Sequence, residues 1–168
     1  MLFFTSWKLI EGYHHDHGSR KKILTVLQKN GRMPMVELAK ETNMSESTCM
    51  RRTRSLEEIG VIKGYAALLD SEKAGFDVTA FVQVSINQNT EAAFDSFKNA
   101  VRASPFIMEC YSLSGPYDHL MKVVARSNKE LSHFILKTLK TFPEIRDAQT
   151  LFVLHQVKHT TALPTDRP

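Results

Sequence analysis

The chain has 168 residues, which is enough for one full domain or for two small domains joined by a short connector. Its hydrophobic content of 42% and charged content of 24% are those of an ordinary globular protein, so the disordered, collagen-like and mucin-like classes are excluded. Every apolar run is interrupted before the roughly 18 residues that a membrane-spanning helix needs, so no membrane partner is expected. Two cysteines are too few for a disulfide scaffold, which favours a reducing, cytoplasmic location.

The positive charge is concentrated in one part of the chain. The formal net charge is +4, and residues 19–64 carry ten Lys and Arg against five Asp and Glu. Residues 65–168 carry eleven of each and are neutral. A basic segment of this kind is typical of a nucleic-acid-binding module, although a solvated basic surface has the same charge balance.

Residues 1–18 show no hydrophobic periodicity and are expected to form a disordered or extended N-terminal tail. They contain the cluster His14, His15 and His17. A structural zinc site needs four ligands, and no fourth ligand is evident here. We therefore predict no metal site and no cofactor.

Residues 19–64 have the pattern of three short helices. The first runs from Ser19 to the Asn30-Gly31 stop, and Pro34 opens the second. Ser45 is a good N-cap for a third helix that ends near Ile59. A short break between the second and third helices gives a helix-turn-helix.

The third helix has one buried and one outward face. Cys49, Thr53 and Leu56 form the predicted buried stripe, and the opposite side is rich in hydroxyl and guanidinium groups. Arg can read guanine edges or bind phosphates, and Ser and Thr can do either, although an ordinary solvated helix face also favours these residues. The candidate contacts to double-stranded DNA are Ser45, Ser47, Thr48, Arg51, Arg52, Arg54, Ser55 and Lys63.

A β-type run interrupted by Lys63-Gly64 follows the third helix. It predicts a small hairpin, or wing, and then a linker strand within residues 65–76. Lys63 would reach a phosphate from this wing.

Residues 77–160 predict the order βαββαβ. The strands are expected at 77–87, 106–113, 120–125 and 145–154, and the helices at 91–103 and 129–141. The two halves repeat, since Pro105, Ile107 and Leu113 correspond to Pro143, Ile145 and Leu151. This order predicts a ferredoxin-like sandwich whose bare sheet face is covered by a second copy of the chain, with residues 161–168 as a C-terminal tail.

The turn between the two repeats is a candidate ligand site. It contains Gly115, Pro116, Tyr117, Asp118 and His119. Glycine permits a close backbone approach, the Asp118 carboxylate can accept a ligand ammonium, and nearby backbone N–H groups can hold a carboxylate. A plain β-turn requires the same residues, so both readings stay open.

The chain resembles the leucine-responsive regulatory protein/asparagine-operon regulator (Lrp/AsnC) family over about residues 20–160. The resemblance rests on Gln28-Lys29-Asn30-Gly31-Arg32, Val36-Glu37-Leu38-Ala39, Met44-Ser45, Cys49-Met50-Arg51-Arg52, Leu56-Glu57, Gly60-Val61-Ile62-Lys63-Gly64-Tyr65 and Leu113-Ser114-Gly115-Pro116-Tyr117-Asp118.

The resemblance implies an α+β protein: an N-terminal winged helix-turn-helix followed by a ferredoxin-like effector and oligomerisation domain. It implies a sequence-specific transcriptional regulator that is not an enzyme and that forms a homodimer, tetramer or octamer. A small effector, usually an amino acid in this family, would modulate assembly or DNA affinity. The implied effector contacts are Gly115 to Asp118 in the turn, with Gln149 and Thr150 on the closing strand.

Two alternatives remain at this point. One is a small enzyme on a dimeric ferredoxin-like barrel that uses His119, Tyr117 or His133 for proton transfer. The sequence shows no set of nucleophile, base and orienting group for such an enzyme, and an enzyme would not explain the basic helical segment. The other is a small-molecule sensor with no DNA role.

Overall fold

The computed structural model describes residues 17–87, 91–137, 139, 142 and 145–165. These residues divide into two compact units. The helical unit contains residues 17–68 together with 158–165, and the sheet unit contains residues 69–157. His14 and His15 lie outside the described residues.

Three helices build the helical unit: α1 (His17–Lys29), α2 (Met35–Thr42) and α3 (Glu46–Glu58). Asn43 ends α2 in the left-handed conformation with φ of 55°. Ser45 caps α3, since its side chain accepts a hydrogen bond from the Thr48 N–H. The buried apolar residues of this unit are Ile23, Leu38, Ala39, Cys49 and Leu56.

One predicted boundary in this region differs from the structure. The helix α1 begins at His17 rather than Ser19, so the predicted tail over residues 1–18 is too long. Gly18 and Ser19 fit into the first turn because the first N–H groups of a helix need no intrahelical acceptor.

The predicted hairpin and linker strand are also absent from the described chain between α3 and the sheet. Residues 63–70 have no regular structure, and residues 71–75 form a turn in which the Phe76 N–H donates to the Ser71 carbonyl at 2.8 Å. A strand needs a neighbour to complete its hydrogen bonds, and the sheet that the structure describes contains only strands from later in the chain.

The sheet unit has the predicted order: β1 (Val78–Ile86), α4 (Glu91–Ala103), β2 (Ile107–Ser112), β3 (His119–Ala125), α5 (Asn128–Lys137) and β4 (Ile145–Phe152). The four strands pair antiparallel in the order β2-β3-β1-β4. The α+β prediction of a helix-turn-helix followed by a ferredoxin-like sheet is therefore confirmed.

The two faces of the sheet differ. On one face Val82, Val84, Met121 and Val123 are fully buried in a core that includes Phe97 of α4 and residues of α5. Paired residues of an antiparallel sheet share a face, and side chains alternate along a strand. The face turned away from the helices, here named the open face, carries Phe81, Gln83, Leu120, Lys122, Val124, Gln149 and Leu151.

Within the residues that the structure describes, no helix has the length and apolar character that crossing a membrane requires.

His119 is a titratable residue within the core of the sheet unit. It is only 5% exposed, and its ring stacks on Phe97 with 4.5 Å between centroids. Its Nδ1 lies 3.2 Å from the Ser112 hydroxyl. Burial lowers the pKa of His119 below its ordinary value of 6.5, and the nearby Asp118 carboxylate opposes this shift.

Because the pKa of His119 is lower in the folded chain, unfolding takes up a proton when the pH falls below 6.5. The free energy of unfolding should then decrease with falling pH, by at most about 1.4 kcal/mol per pH unit, until the folded-state pKa is passed. His119→Phe keeps an aromatic ring and should flatten this part of the pH profile in urea titrations. His133→Phe, at an exposed position of α5, is the control and should leave the profile unchanged. Equal slopes in wild type and His119→Phe would contradict the assignment.

Candidate nucleic-acid interface and ligand site

One side of α3 is anchored in the helical core. Cys49, Thr53 and Leu56 are buried, as the sequence predicts. At the start of the helix, Ser45 also donates to the Thr48 hydroxyl at 2.8 Å. Core and cap together fix the rotation of α3 and therefore which side chains point away from the unit.

The side of α3 away from the core presents two exposed guanidinium groups. Arg51 is exposed and makes no hydrogen bond or ion pair with any other residue that the structure describes. Arg54 donates from Nε to Glu58 at 3.0 Å, with the two side chains 78% and 64% exposed. A solvent-exposed pair of this kind contributes only about 0.3–0.5 kcal/mol, so Arg54 can exchange Glu58 for a phosphate at little cost.

The other predicted DNA contacts divide by burial. Ser47 and Lys63 are exposed, whereas Thr48, Arg52 and Ser55 are half-buried. Arg52 donates from Nη1 to the Met44 sulfur at 3.1 Å and so ties α3 to the turn before it. Arg52 and Ser45 therefore have structural contacts, and the Ser47 hydroxyl lies 3.4 Å from that of Ser45. Arg51 makes no such contact with a described residue.

Tyr65 is a contributor to this surface that sequence reasoning missed. Its hydroxyl donates to Glu57 of α3 at 2.8 Å, and its ring lies beside Gly31. Partial burial and the Glu57 carboxylate raise the pKa of Tyr65 to about 12. The contact holds the segment after Lys63 against α3, and its only sequence signal is an aromatic residue after Lys63-Gly64.

The turn between β2 and β3 is fixed to the end of β1 through Asp118. The Asp118 N–H donates to the Val84 carbonyl at 2.9 Å, and Asp118 Oδ2 accepts from the Ile86 N–H at 2.7 Å. These bonds lie where the pairing of β1 with β4 shifts register, between Ser85 and Ile86. At least one oxygen of Asp118 therefore has a structural role.

Tyr117 connects this turn with the closing strand. Its hydroxyl donates to Gln149 Oε1 at 2.9 Å. Gln149 pairs with Gln83 and lies on the open face, and β1 separates β3 from β4. The Tyr117 side chain therefore crosses β1 on the open face and brings together two of the predicted effector residues.

The remaining predicted effector residues do not all face the same way. Gly115 and Pro116 are exposed in the turn. His119 lies in the core, and Thr150 pairs with Val82 on the helix-covered face. The Tyr117 hydroxyl and the His119 ring thus lie on opposite sides of the sheet and do not share one site.

The part of the chain that the structure describes contains no group of three or more His, Cys, Asp or Glu residues able to hold a metal ion.

Two family profiles match the chain. The profile described as "Winged helix-turn-helix DNA-binding" matches residues 17–63, and the profile described as "Lrp/AsnC ligand binding domain" matches residues 79–163. Together they cover the helices of the helical unit and all of the sheet except Val78.

Two curated relatives are similar in sequence over more than four fifths of this chain. The transcriptional regulator AzlB of Bacillus subtilis is 32% identical over 87% of this chain and 93% of its own length. The leucine-responsive regulatory protein of Rhizobium meliloti is 35% identical over 82% of this chain and 88% of its own length.

A solved structure is similar as well. The transcriptional regulator of Neisseria meningitidis in complex with L-Met superposes with a TM-score of 0.85 and 40% identity, covering 88% of this chain and 96% of that one. The alternative of an enzyme or sensor with no DNA role receives no support from these relatives. The chain belongs to the Lrp/AsnC family of transcriptional regulators, since residues 17–63 match the winged helix-turn-helix DNA-binding profile and residues 79–163 match the Lrp/AsnC ligand-binding domain.

Proposed function

We propose that this regulator contacts double-stranded DNA through the exposed face of α3. The observation that carries the proposal is Arg51, an exposed guanidinium with no partner among the described residues, on a helix whose rotation is fixed by a buried stripe. Ser47, Arg54 and Lys63 supply further exposed donors around it. Further phosphate contacts come from the half-buried residues beside this face, which are Thr48, Arg52 and Ser55.

Binding of this kind has a steep salt dependence. A dimer that neutralises about six to eight phosphates should give a slope of about −5 to −7 when the logarithm of affinity is plotted against that of salt concentration. The test is a titration of DNA from upstream of the protein's own gene at several salt concentrations. A slope near zero would contradict phosphate contact.

Arg51→Ala should weaken DNA binding by about 1–3 kcal/mol, because it removes one direct contact per recognition helix. Arg102→Ala is a matched control, since Arg102 is also exposed but lies on α4 of the sheet unit. Fluorescence anisotropy with labelled duplex gives both affinities. Equal affinities for the two variants would remove Arg51 from the interface.

We also propose that a free amino acid binds beside the β2–β3 turn and changes DNA affinity. The hydroxyl of Tyr117 and the amide of Gln149 are joined at 2.9 Å, next to the exposed turn residues Gly115 and Pro116. A hydroxyl, an amide and turn N–H groups can together pair with an ammonium and a carboxylate. The related Neisseria regulator in complex with L-Met and the leucine-responsive relatives support an amino acid as the ligand class.

Tyr117→Phe removes one hydroxyl and leaves the ring. We expect L-methionine and L-leucine to bind roughly 3- to 10-fold more weakly, as expected for the loss of one hydrogen bond of about 0.5–1.5 kcal/mol. Tyr111→Phe is the matched control, since its hydroxyl donates to Glu109 instead. Asp118→Ala is unsuitable because it also removes the acceptor of the Ile86 N–H.

Calorimetry with each amino acid, and DNA titrations in its presence, measure this effect. Tyr117→Phe with the ligand affinity and DNA response of wild type would place the ligand elsewhere.

We further propose that two copies pair through the open face, as the first step toward larger homo-oligomers. Leu151 is a large apolar side chain that remains 43% exposed there, and Phe81, Leu120 and Val124 on the same face are only partly buried. A patch of this kind is stabilised when a second copy covers it.

Leu151→Asp should shift the protein from dimer to monomer in sedimentation-velocity experiments, since it would place a carboxylate in an apolar interface. Leu136→Asp is the control on α5, where Leu136 is 57% exposed on the helix side. A Leu151→Asp variant that stays dimeric would show that copies pair through another surface.

A further inference from the structure

The end of the chain returns to the helical unit. Residues 158–165 belong to that unit, although β4 and the residues directly after it belong to the sheet unit. Gln28 of α1 pairs with both backbone groups of Leu163: its Nε2 donates to the Leu163 carbonyl at 3.2 Å, and the Leu163 N–H donates to its Oε1 at 2.6 Å. A single side chain thus fixes the position of the returning backbone.

A second contact lies beside the first. The hydroxyl groups of Thr25 and Thr165 are 3.0 Å apart in a partly buried position. Thr25 and Gln28 are three residues apart on α1 and so occupy the same side of the helix. Ile23, which is fully buried in the helical core, points to the other side at 100° per residue. The core therefore holds one side of α1, and the end of the chain holds the other.

This return gives the two units a second covalent connection. The chain passes between them once after Leu68 and again after Val157. The second passage starts from β4, the strand that carries Gln149 of the candidate ligand site. A second connection restricts the relative freedom of two units without any contact between them.

We propose that residues 158–165 form a strap on α1, and that DNA affinity depends on the strap being docked. The docked strap gives the DNA-binding unit a link to β4 in addition to the segment after α3. Release of the strap leaves a single link and more orientational freedom, which costs affinity when two helical units must meet adjacent DNA sites. The inference rests on DNA binding by the helical unit.

The first experiment compares Gln28→Ala with Gln156→Ala in the full chain. Both variants remove an amide side chain, but Gln156 is exposed and outside the strap contact. We expect Gln28→Ala to speed amide exchange in peptides covering 158–165 and to weaken DNA binding about threefold to tenfold. Gln156→Ala should match wild type in both measurements. Unchanged exchange overturns the docking, and faster exchange with unchanged DNA affinity overturns the dependence.

The second experiment locks the strap with the double substitution Thr25→Cys and Thr165→Cys. The two threonine hydroxyls are 3.0 Å apart, so cysteine thiols at these positions are close enough to form a disulfide on oxidation. Oxidised protein should run at the mass of one chain and keep wild-type DNA affinity even when Gln28→Ala is added. A disulfide between two chains, or no rescue of Gln28→Ala, overturns the proposal. If the wild-type protein binds no DNA at low salt, the proposed DNA-binding function fails, and the dependence of DNA affinity on the strap fails with it. Amide exchange and cross-linking do not involve DNA, so they still show whether the strap docks on α1.

Discussion

Burial of the Cys49, Thr53 and Leu56 stripe is the constraint on which the candidate DNA surface depends. A helix can rotate about its axis unless one side is held, and these three residues hold α3 against the helical core. The Ser45 cap fixes where the helix begins. Arg51 and Arg54 point outward as a consequence, because they lie on the side of α3 opposite the buried stripe. Tyr65 adds a hydrogen bond to Glu57, which holds the segment after Lys63 against α3.

The sheet unit depends in a similar way on β1, which pairs with β3 on one side and β4 on the other. Asp118 fastens the β2–β3 turn to the end of this strand, and Tyr117 reaches over the strand to Gln149. Asp118 therefore has a structural contact, whereas the neighbouring Tyr117 places its hydroxyl on the open face. Because both residues belong to one short turn, its sequence pattern fits a plain β-turn as well as the proposed ligand site.

The fold was largely predictable from the sequence, because hydrophobic periodicity reports which side of each element is buried. The stripe of α3 and the alternation of Ala80, Val82 and Val84 in β1 follow directly from it. Contacts between distant residues were not predictable. Nothing in local sequence indicates that Gln28 pairs with Leu163 or that Asp118 Oδ2 accepts from the Ile86 N–H. That Gln149 and Thr150 lie on opposite faces of the sheet follows from the alternation of side chains along β4, so the two predicted contacts could not both line one site. The prediction of a linker strand was wrong because a strand needs a neighbouring strand for its hydrogen bonds, and the local sequence does not identify one.

Chemical modification of arginines tests the central claim most directly. A dicarbonyl reagent should modify Arg51 and Arg54 in the free protein, because both guanidinium groups are exposed. In the presence of a bound duplex, mass spectrometry should show both residues protected while Arg102 on α4 remains reactive. Unchanged reactivity of Arg51 and Arg54 in protein that is fully bound to DNA would contradict the account.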